Sequence, residues 1–342
     1  MKIPIKKTKA AILNQLNKDL IIDDIDLPER LFKGQILVKL IYSGVCGSQL
    51  GEITGIKGPD NYLPHLLGHE GIAQVIAIGS GVKKVKANDH VLLHWMPSSE
   101  KNSQTPVYSW KGKKLNAGFV TTFNNYAVIS QNRCSKISSN KKNFLNIMLL
   151  GCTASTAIGT VKKSQKIKQF SNILVTGCGS IGIYIIQYLR YLGCKNIYAL
   201  DLYKSRLLKA KSCGAKYLLN SLNKFKQLKF DAAFETTGNT NLITKIFDKL
   251  KSNGEILLIG VPKYKTKASF NTLEINLGKK IIGSKGGDFD PLKDLCNYKK
   301  IVCSKKCSSK KIITNLFFLK DINKALKKLK NGTISGKAVI KY

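Results

Sequence analysis

Three side chains of types that commonly bind metal ions lie in short glycine-bounded motifs. Cys46 lies in GVCGSQL after an apolar, strand-like run, His69 lies in LGHEG, and Cys152 lies in LLGCTAS. Catalytic zinc sites use three ligands of the Cys, His or carboxylate type and keep a fourth position open. Zinc in such a site lowers the pKa of a bound hydroxyl, which prepares an alcohol to release a hydride. Taken singly, each residue could equally be a small buried cysteine or a hydrogen-bonded histidine.

A second motif that could bind a ligand is VTGCGSIG, which places Gly177, Gly179 and Gly182 in the spacing G-x-G-x-x-G. The motif follows the strand-like run NILV and opens a helix, and Asp201 ends the next strand 19 residues after the last glycine. This context is typical of a dinucleotide-binding turn, in which the glycines allow a tight turn and close approach to a pyrophosphate. Asp201 would accept hydrogen bonds from the adenosine ribose, which favours NAD over NADP. Lys204 or Arg206 could neutralise a 2′-phosphate, which leaves that choice open.

The elements that must position these motifs change in pattern near residue 150. Before it, short strand-like runs such as GIAQVIAIGSGV alternate with glycine and asparagine turns, which predicts an antiparallel or barrel-like domain. After it, strands alternate with helices, which predicts a parallel sheet with right-handed crossovers. The predicted fold class is therefore α/β, a mainly β domain followed by a doubly wound parallel sheet. The final strand, GKAVIKY, must pack back on the first domain or extend the second.

Length and composition limit the classes of protein that are worth considering. A chain of 342 residues with 43% hydrophobic residues is long enough for two globular domains. The longest uncharged apolar window, residues 172–189, is interrupted by glycines and polar residues, so no membrane-spanning helix is expected. Nine scattered cysteines, an odd number, do not indicate a disulfide framework, and the expected location is the cytoplasm.

The net charge is strongly positive, because 57 Lys and Arg face 20 Asp and Glu for a formal charge of +37. Such an excess attracts nucleic acid, anionic membranes or anionic substrates over long range. The lysines are spread along the whole chain, however, and no aromatic stacking platform accompanies the local peaks. Nucleic acid is therefore not expected as a partner. The excess of lysine and arginine is interpreted mainly as a compositional bias of the source organism.

Taken together, GVCGSQL, LGHEG, the GC before TAST, and VTGCGSIG resemble the zinc-dependent medium-chain alcohol dehydrogenase family. They occur in the family's order and at similar separations, over almost the whole chain. The resemblance implies a GroES-like catalytic domain at 1–153, an NAD-binding Rossmann domain at 154–286, and a segment at 287–342 that completes the catalytic domain. It also implies that Cys46, His69 and Cys152 hold one zinc ion.

The resemblance further implies roles for residues around the zinc and the cofactor. Glu70 would lie beside the metal as a neighbouring group or transient ligand, Ser48 would take the substrate proton, and Trp95 would line the substrate pocket. His94 is a further candidate for a pocket base, although a structural role as a strand residue is at least as well supported. The expected cofactor contacts are Thr156, Gly177, Gly179, Ser180, Ile181, Gly182, Asp201, Arg206, Thr237, Gly238, Ile259, Val261 and, at the pyrophosphate, Lys337.

Two departures from the family pattern change the expectations. Many relatives carry four closely spaced cysteines that bind a second, structural zinc, and the corresponding stretch MPSSEKNSQTPVYSWKGKKLNAG contains none. One zinc per chain is therefore expected. Gly51 stands where several relatives have a histidine that ends the proton relay to solvent, so the proton must leave Ser48 by another route. His65 and His90 are interpreted as structural.

The function expected from these observations is hydride transfer between an alcohol and NAD, assisted by zinc. The substrate class stays open among polyols, sugar derivatives and simple alcohols or their carbonyl products, and the positive charge with Trp95 leans toward a polar or anionic molecule. By family analogy the protein is a homo-oligomer, a dimer or tetramer. The alternatives are a zinc-free reductase of the same fold and a basic protein that binds nucleotide or nucleic acid without dehydrogenase activity.

Overall fold

The structure is a computed structural model that describes residues 1–138, 140–222, 227–307 and 309–342. Its strands divide at about residue 150, where the antiparallel pairings of the first half give way to parallel ones. The strands are β1 (Lys7–Leu13), β2 (Ile21–Asp26), β3 (Gln35–Val45), β4 (His65–Leu66), β5 (Gly71–Ile78), β6 (His90–Leu93), β7 (Val107–Trp110), β8 (Lys113–Asn116), β9 (Tyr126–Ser130), β10 (Cys134–Lys136), β11 (Asn172–Thr176), β12 (Asn196–Leu200), β13 (Tyr217–Leu219), β14 (Phe230–Glu235), β15 (Leu250–Leu258), β16 (Lys280–Gly283), β17 (Ile313–Phe318) and β18 (Lys337–Lys341).

The helices lie mostly in the second half and between the halves. The α-helices are α1 (Gly47–Ile53), α2 (Phe144–Met148), α3 (Thr153–Lys163), α4 (Ser180–Tyr191), α5 (Lys204–Cys213), α6 (Thr240–Asp248), α7 (Thr272–Asn276), α8 (Pro291–Val302) and α9 (Ile322–Lys330). Short 3-10 helices cover Gln131–Arg133, Lys141–Asn143, Leu149–Gly151, Gly286–Asp288, Ser309–Lys311 and Leu319–Asp321.

The first half forms a closed barrel beside a larger sheet. The barrel has the order β1-β2-β7-β8-β4, and the sheet has the order β10-β6-β5-β3-β18-β17, with β9 also paired to β3. Strand β3 is long and mostly buried, because most of its side chains are apolar and it lies in the middle of this sheet. The carboxyl end of β3 leads directly into the glycine-bounded motif that contains Cys46.

The end of the chain returns to this first sheet. β18 pairs antiparallel with β3, Ala338 opposite Val45 and Ile340 opposite Ser43, and pairs parallel with β17. The last strand is therefore a neighbour of the strand that carries Cys46, although nearly 300 residues separate them in sequence.

The second half is a parallel sheet of the order β13-β12-β11-β14-β15-β16, with helices in the connections. The direction of strand order reverses between β11 and β14, and in such sheets ligands bind outside the carboxyl ends of the strands at that point. α3 joins the two halves and is buried from Thr153 to Val161. This part of the structure corresponds to the doubly wound sheet that the alternating pattern predicts.

Within the described ranges, no single helix has the length and apolar composition to cross a membrane. The bent pair Lys141–Gly151 and Thr153–Lys163 meets that test by length and composition only.

Candidate active site

The three predicted metal ligands come together from separate elements. Cys46 precedes the first residue of α1 just after β3, His69 lies in the turn between β4 and β5, and Cys152 precedes α3. Their ligand atoms all lie within 4.8 Å of one another, so one metal ion can reach all three. The turn before His69 needs Gly68, whose φ is +93° and where a Cβ would lie 2.2 Å from Thr122 Oγ1.

The two cysteines share one buried environment. A hydrogen bond from the Cys152 side chain lowers the pKa of Cys46 well below its ordinary value, and the positive charge of Lys337 adds to this effect. The same contact, together with burial, raises the pKa of Cys152. The arrangement therefore favours a thiolate at Cys46, which is the protonation state that a metal ligand requires.

Gln49 connects two of the three ligands and was not singled out by the sequence analysis. Its side chain is fully buried, its Oε1 accepts a hydrogen bond from the Cys46 backbone N–H at 2.7 Å, and its Nε2 lies 2.7 Å from His69 Nδ1. The bond to Nδ1 leaves the other ring nitrogen, Nε2, free for the metal. The spacing of Gln49 from Cys46 could have indicated this contact, because a glutamine three residues after a helix-capping residue can form a hydrogen bond back to the cap.

Glu70 and Lys337 form a fully buried ion pair beside the cluster. Glu70 Oε1 accepts the Thr153 backbone N–H at 3.1 Å, while Oε2 faces the Lys337 ammonium. Burial would lower the pKa of Lys337, but the negative charges of Glu70 and Cys46 outweigh it, so this pKa is raised. Gly44 permits the pair, because a Cβ there would lie 2.1 Å from Glu70 Oε2.

The burial of Lys337 against Glu70 affects its predicted contact with the cofactor pyrophosphate. The side chain has no exposed surface, and its ammonium is engaged by Glu70 in the metal site. A pyrophosphate contact would require the ammonium to become accessible. The contact stays a prediction, and what the structure adds is a direct link between Lys337 and the metal cluster.

Ser48 and Trp95 each carry a buried polar atom that has no hydrogen-bond partner among the described residues. Ser48 Oγ lies in the first turn of α1, two residues after Cys46, and Trp95 Nε1 belongs to the residue predicted to line the substrate pocket. Trp95 packs against Gly286, where a Cβ would lie 2.3 Å from its ring. Unpartnered buried polar atoms are rare and call for an explanation, and a bound substrate that donates or accepts there would provide one.

The structure corrects the assignment of His94 as a pocket base. His94 is fully buried, Nδ1 lies 2.7 Å from the Met96 carbonyl oxygen, and Nε2 lies 3.0 Å from Ser135 Oγ. Both ring nitrogens are thus used within the fold, and burial lowers the pKa of His94 to about 4. His94 is a structural residue at the end of β6, which was the other interpretation given above.

The glycine-rich turn follows β11 and is held by Asp201. Asp201 accepts the backbone N–H of Cys178 at 2.7 Å and that of Tyr203 at 2.9 Å, so it ties the turn to the end of β12. Gly177 has a φ of +81°, and a Cβ at Gly182 would lie 1.9 Å from the Gly177 carbonyl oxygen. The tight turn and the close approach of helix to strand are therefore both present.

A second loop, at the end of β14, meets this turn. Glu235 is fully buried and accepts the backbone N–H groups of Thr237 at 2.7 Å and Gly238 at 3.0 Å. Thr236 Oγ1 donates to the Gly177 carbonyl oxygen at 2.9 Å. The two loops are thereby locked side by side at the point where the strand order reverses. The other predicted cofactor residues are Ser180 and Ile181 in the first turn of α4, Gly179 before it, Thr156 in α3, Arg206 in α5, and Ile259 and Val261 after β15.

A cavity of about 960 Å³ opens beside the metal cluster and includes His69 in its wall. One side is formed by residues between Gly51 and Tyr62, and the other by Thr105, just before β7, and by Lys114 and residues 116–120, at the end of β8 and just after it. The first side also touches the second half of the chain, where the Tyr264 backbone N–H donates to the Ile56 carbonyl oxygen at 2.7 Å.

Comparison with known proteins identifies the family. The description "Alcohol dehydrogenase GroES-like domain" matches residues 33–139, and "Zinc-binding dehydrogenase" matches residues 180–297. The chain belongs to the zinc-dependent medium-chain alcohol dehydrogenases. This dehydrogenase is 28% identical to the S-(hydroxymethyl)glutathione dehydrogenase of Haemophilus influenzae, over 82% of this chain and 83% of the relative.

Solved structures agree on the fold of this dehydrogenase. Benzyl alcohol dehydrogenase of Acinetobacter calcoaceticus superposes with a TM-score of 0.86 at 23% identity, covering 98% of this chain and 99% of that one. Acetophenone reductase of Geotrichum candidum, solved with NAD, gives a TM-score of 0.82 at 22% identity and covers 100% and 99%. The expected two-part α/β fold is confirmed, and the protein is an NAD-linked alcohol dehydrogenase of the zinc type.

The residues present fit both implied groups. Two cysteines and a histidine are a donor set that zinc prefers, and their ligand atoms are close enough together to share one ion. At the other site, Gly179 has no atom within 4 Å of the position of an added Cβ, so the turn leaves space for a cofactor backbone contact. Zinc would be held by Cys46, His69 and Cys152, and NAD by the glycine-rich turn.

Proposed function

We propose that this enzyme oxidises a small-molecule alcohol, or reduces the matching carbonyl, at the Cys46–His69–Cys152 cluster. The observation that carries the proposal is the convergence of the three ligand atoms within 4.8 Å of one another. Ser48, two residues after Cys46 in the first turn of α1, has a buried hydroxyl for which the described residues offer no partner. When bound, zinc lowers the pKa of the substrate hydroxyl, and NAD accepts the hydride.

The residues of the chain would bind, orient and deprotonate the substrate. Ser48 Oγ would accept the proton from the substrate hydroxyl and release it toward water, because Gly51 offers no side chain to continue the relay. Gln49 fixes the ring of His69 and the backbone of Cys46 in one geometry. Trp95 limits the space beside the reacting carbon. Cys46 and Cys152 are buried, so electrostatic interactions on their side of the cluster are stronger than in solvent, while His69 borders the cavity through which a substrate would enter.

The test is NADH formation by purified protein with simple alcohols, polyols, sugar derivatives, 3-hydroxy amino acids and hydroxymethyl thiols, each with and without a zinc chelator. We expect turnover that the chelator abolishes and that Cys46→Ala lacks. Chelator-insensitive turnover, or equal turnover by Cys46→Ala, would contradict the proposal. Zinc content, measured in the same preparations, distinguishes a metal-free sample from an inactive enzyme.

We also propose that the enzyme is a homo-oligomer built through the edge of the parallel sheet. β16 is an edge strand with unpaired backbone groups, which readily pair with another chain. Leu273 and Leu277, just before it, are 60% and 65% exposed. Light scattering should report a dimer or tetramer for the wild type and a monomer for Leu277→Lys, whereas the matched surface change Leu208→Lys should have no effect. A monomeric wild type would contradict this proposal.

We further propose that the protein is located in the cytoplasm, which is a reducing compartment. Its support is that the nine cysteines are all free thiols in the structure. Fractionation of cells that produce the protein, followed by thiol counting, would test the location.

A further inference from the structure

A second cavity, of about 350 Å³, lies at the edge of the parallel sheet that is opposite to the glycine-rich turn. Its wall is formed by the carboxyl ends of α3 and α4, by residues 167–169 just before β11, and by Cys194 just before β12. Because cofactors of such sheets bind outside the carboxyl ends of the strands, this helix-end cavity is on the side away from the cofactor crevice. Its volume is within the range of small-molecule sites, about 300–1,000 Å³.

The helix-end cavity is separate from the metal cluster and from the glycine-rich turn. α3 begins directly after Cys152 and α4 begins in the turn, but the last residues of both helices are at the cavity. The helices have 11 and 12 residues, so they are about 16 Å and about 18 Å long. A ligand in the helix-end cavity would therefore leave both of the other sites free.

Much of the cavity wall is apolar. Val161 and Tyr188 are buried in it, and Ile167 and Leu192 are partly exposed to solvent. The ring of Tyr191 stacks on that of Tyr188 with 5.9 Å between the centroids, which extends the aromatic surface beyond the wall. Leu192 is 46% exposed. A ligand with an aromatic or branched apolar group would remove this apolar surface from water, which is favourable.

The charge of the cavity wall is positive. Lys162 and Lys168 are the charged side chains among the described residues that line it, and none of these residues is an aspartate or glutamate. Lys162 Nζ lies 4.3 Å from the centroid of the Tyr298 ring, so its position is fixed by a cation–π contact. Lys168 is exposed and forms no ion pair with a described residue. An unpaired ammonium beside an apolar wall suits a ligand that carries a carboxylate.

The neutral polar groups of the wall do not compete for that role. Ser164 Oγ donates to Glu255 Oε1, so its proton is already used within the fold. Glu255 is fully buried and is not part of the wall. The Lys168 ammonium is therefore the best placed donor for an anionic group.

We propose that the helix-end cavity is a second binding site, for a small carboxylate that carries an aromatic or branched apolar group. The carboxylate contacts Lys168, and the apolar group packs against Tyr188 and Leu192. The inference goes beyond the proposed function, because the wall contains no residue of the metal cluster or of the glycine-rich turn. Its test therefore needs no turnover.

The test is calorimetric titration of the zinc-loaded wild type, without cofactor, with three molecules of similar shape and different charge. These are 3-phenylpropanoate, 3-phenylpropanamide and 3-phenylpropylammonium. We expect the carboxylate to bind about 10-fold more tightly than the amide, since contacts between charged groups are stronger than neutral ones, and the ammonium to bind most weakly. Equal or tighter binding of the amide or the ammonium overturns the inference, and so does the absence of binding by all three.

Propanoate is the control for attraction by the overall charge of +37, which acts on any anion. It carries the same carboxylate but no ring, so we expect it to bind at least about 10-fold more weakly than 3-phenylpropanoate, because it buries less apolar surface. Equal affinities for the two carboxylates would show attraction by charge alone and would overturn the proposed site.

Substitutions of Lys168 then locate the bound molecule. Lys168→Met keeps the length of the side chain and should weaken 3-phenylpropanoate about 10-fold while changing the amide less than about twofold, since only the charged contact is lost. Lys168→Glu should reverse the preference, so that the ammonium binds more tightly than the carboxylate. The matched change at an exposed lysine of α5, Lys211→Met, should alter neither affinity. Equal effects of Lys168→Met and Lys211→Met overturn the assignment to this cavity.

The metal cluster is excluded as the binding place by titrating the wild type after zinc removal. The dissociation constant of 3-phenylpropanoate should change less than about twofold, because the cavity is about one helix length from Cys152. Loss of binding with the zinc would place the carboxylate at the metal cluster and overturn the inference. Binding that persists in protein without dehydrogenase activity supports the second site even if the proposed function fails.

Discussion

At the scale of single residues, Gln49 controls the geometry of the metal site. It bonds the ring of His69 and the backbone of Cys46, and it has no solvent-exposed surface. Replacement by methionine keeps the length but removes both bonds. We expect Gln49→Met to weaken zinc binding about 10- to 100-fold, the usual effect of losing a partner of a metal-binding histidine. Competition with a chromophoric chelator measures this, with the exposed Gln15→Met as the control; equal affinities would refute the role.

Ser48 gives the second prediction at this scale, because its hydroxyl has no partner within the described structure. Ser48→Ala should lower kcat for alcohol oxidation about 100-fold or more, the range typical of a lost proton-transfer group. Zinc content and NADH affinity should stay the same, and Ser48→Thr, which restores a hydroxyl, should recover activity. A fully active Ser48→Ala would exclude Ser48 from proton transfer.

The buried His94 should make the free energy of unfolding depend on pH. Burial lowers its folded-state pKa to about 4, below the 6.5 of an unperturbed histidine, so the unfolded chain binds the proton more tightly. The contribution is fully present above pH 6.5 and is lost as the pH falls toward 4, about 3 kcal/mol in total. Urea unfolding at pH 7 and pH 5.5 should show a smaller drop for His94→Asn than for the wild type. Equal drops would mean that other groups dominate this pH range.

Among the elements, the turn between β11 and α4 uses glycine for two different purposes: Gly182 allows helix and strand to pack closely, and Gly179 leaves space for the cofactor. An added Cβ at Gly182 would lie 1.9 Å from the Gly177 carbonyl oxygen, whereas at Gly179 nothing lies within 4 Å. We expect Gly182→Ala to lower both the melting temperature and NADH affinity, because helix and strand must move apart. Gly179→Ala should keep the melting temperature and weaken NADH binding about 10-fold. Fluorescence titration and thermal unfolding measure the pair, and unchanged NADH binding in both variants would contradict the assigned turn.

At the scale of the whole molecule, the stretch that binds a second zinc in many relatives has another use here. It contains no cysteine, β7 and β8 within it complete the barrel, and β8 with the residues after it lines the cavity beside the metal cluster. In the part of the chain that the structure describes, only Cys46, His69 and Cys152 form a group of three suitable ligands. Metal analysis should give one zinc per chain, falling close to zero in Cys46→Ala. Two zinc ions per chain would be inconsistent with this architecture.

Features that local sequence patterns encode could be predicted before the structure was known. The spacing of Gly177, Gly179 and Gly182 after an apolar strand predicts the nucleotide-binding turn, and strand–helix alternation predicts the parallel sheet; both elements are present in the structure. The residue types of Cys46, His69 and Cys152 indicated zinc chemistry, and the family resemblance linked them. The limits between domains, at residues 153 and 286, remain predictions.

The contacts between residues far apart in sequence could be read only from the folded chain. The burial of Lys337 against Glu70 depends on the pairing of β18 with β3, and both nitrogens of His94 are used because Met96 and Ser135 lie beside its ring. The physical reason is that a sequence pattern records local conformational preference and burial, whereas contacts between remote segments follow from the packing of the complete chain.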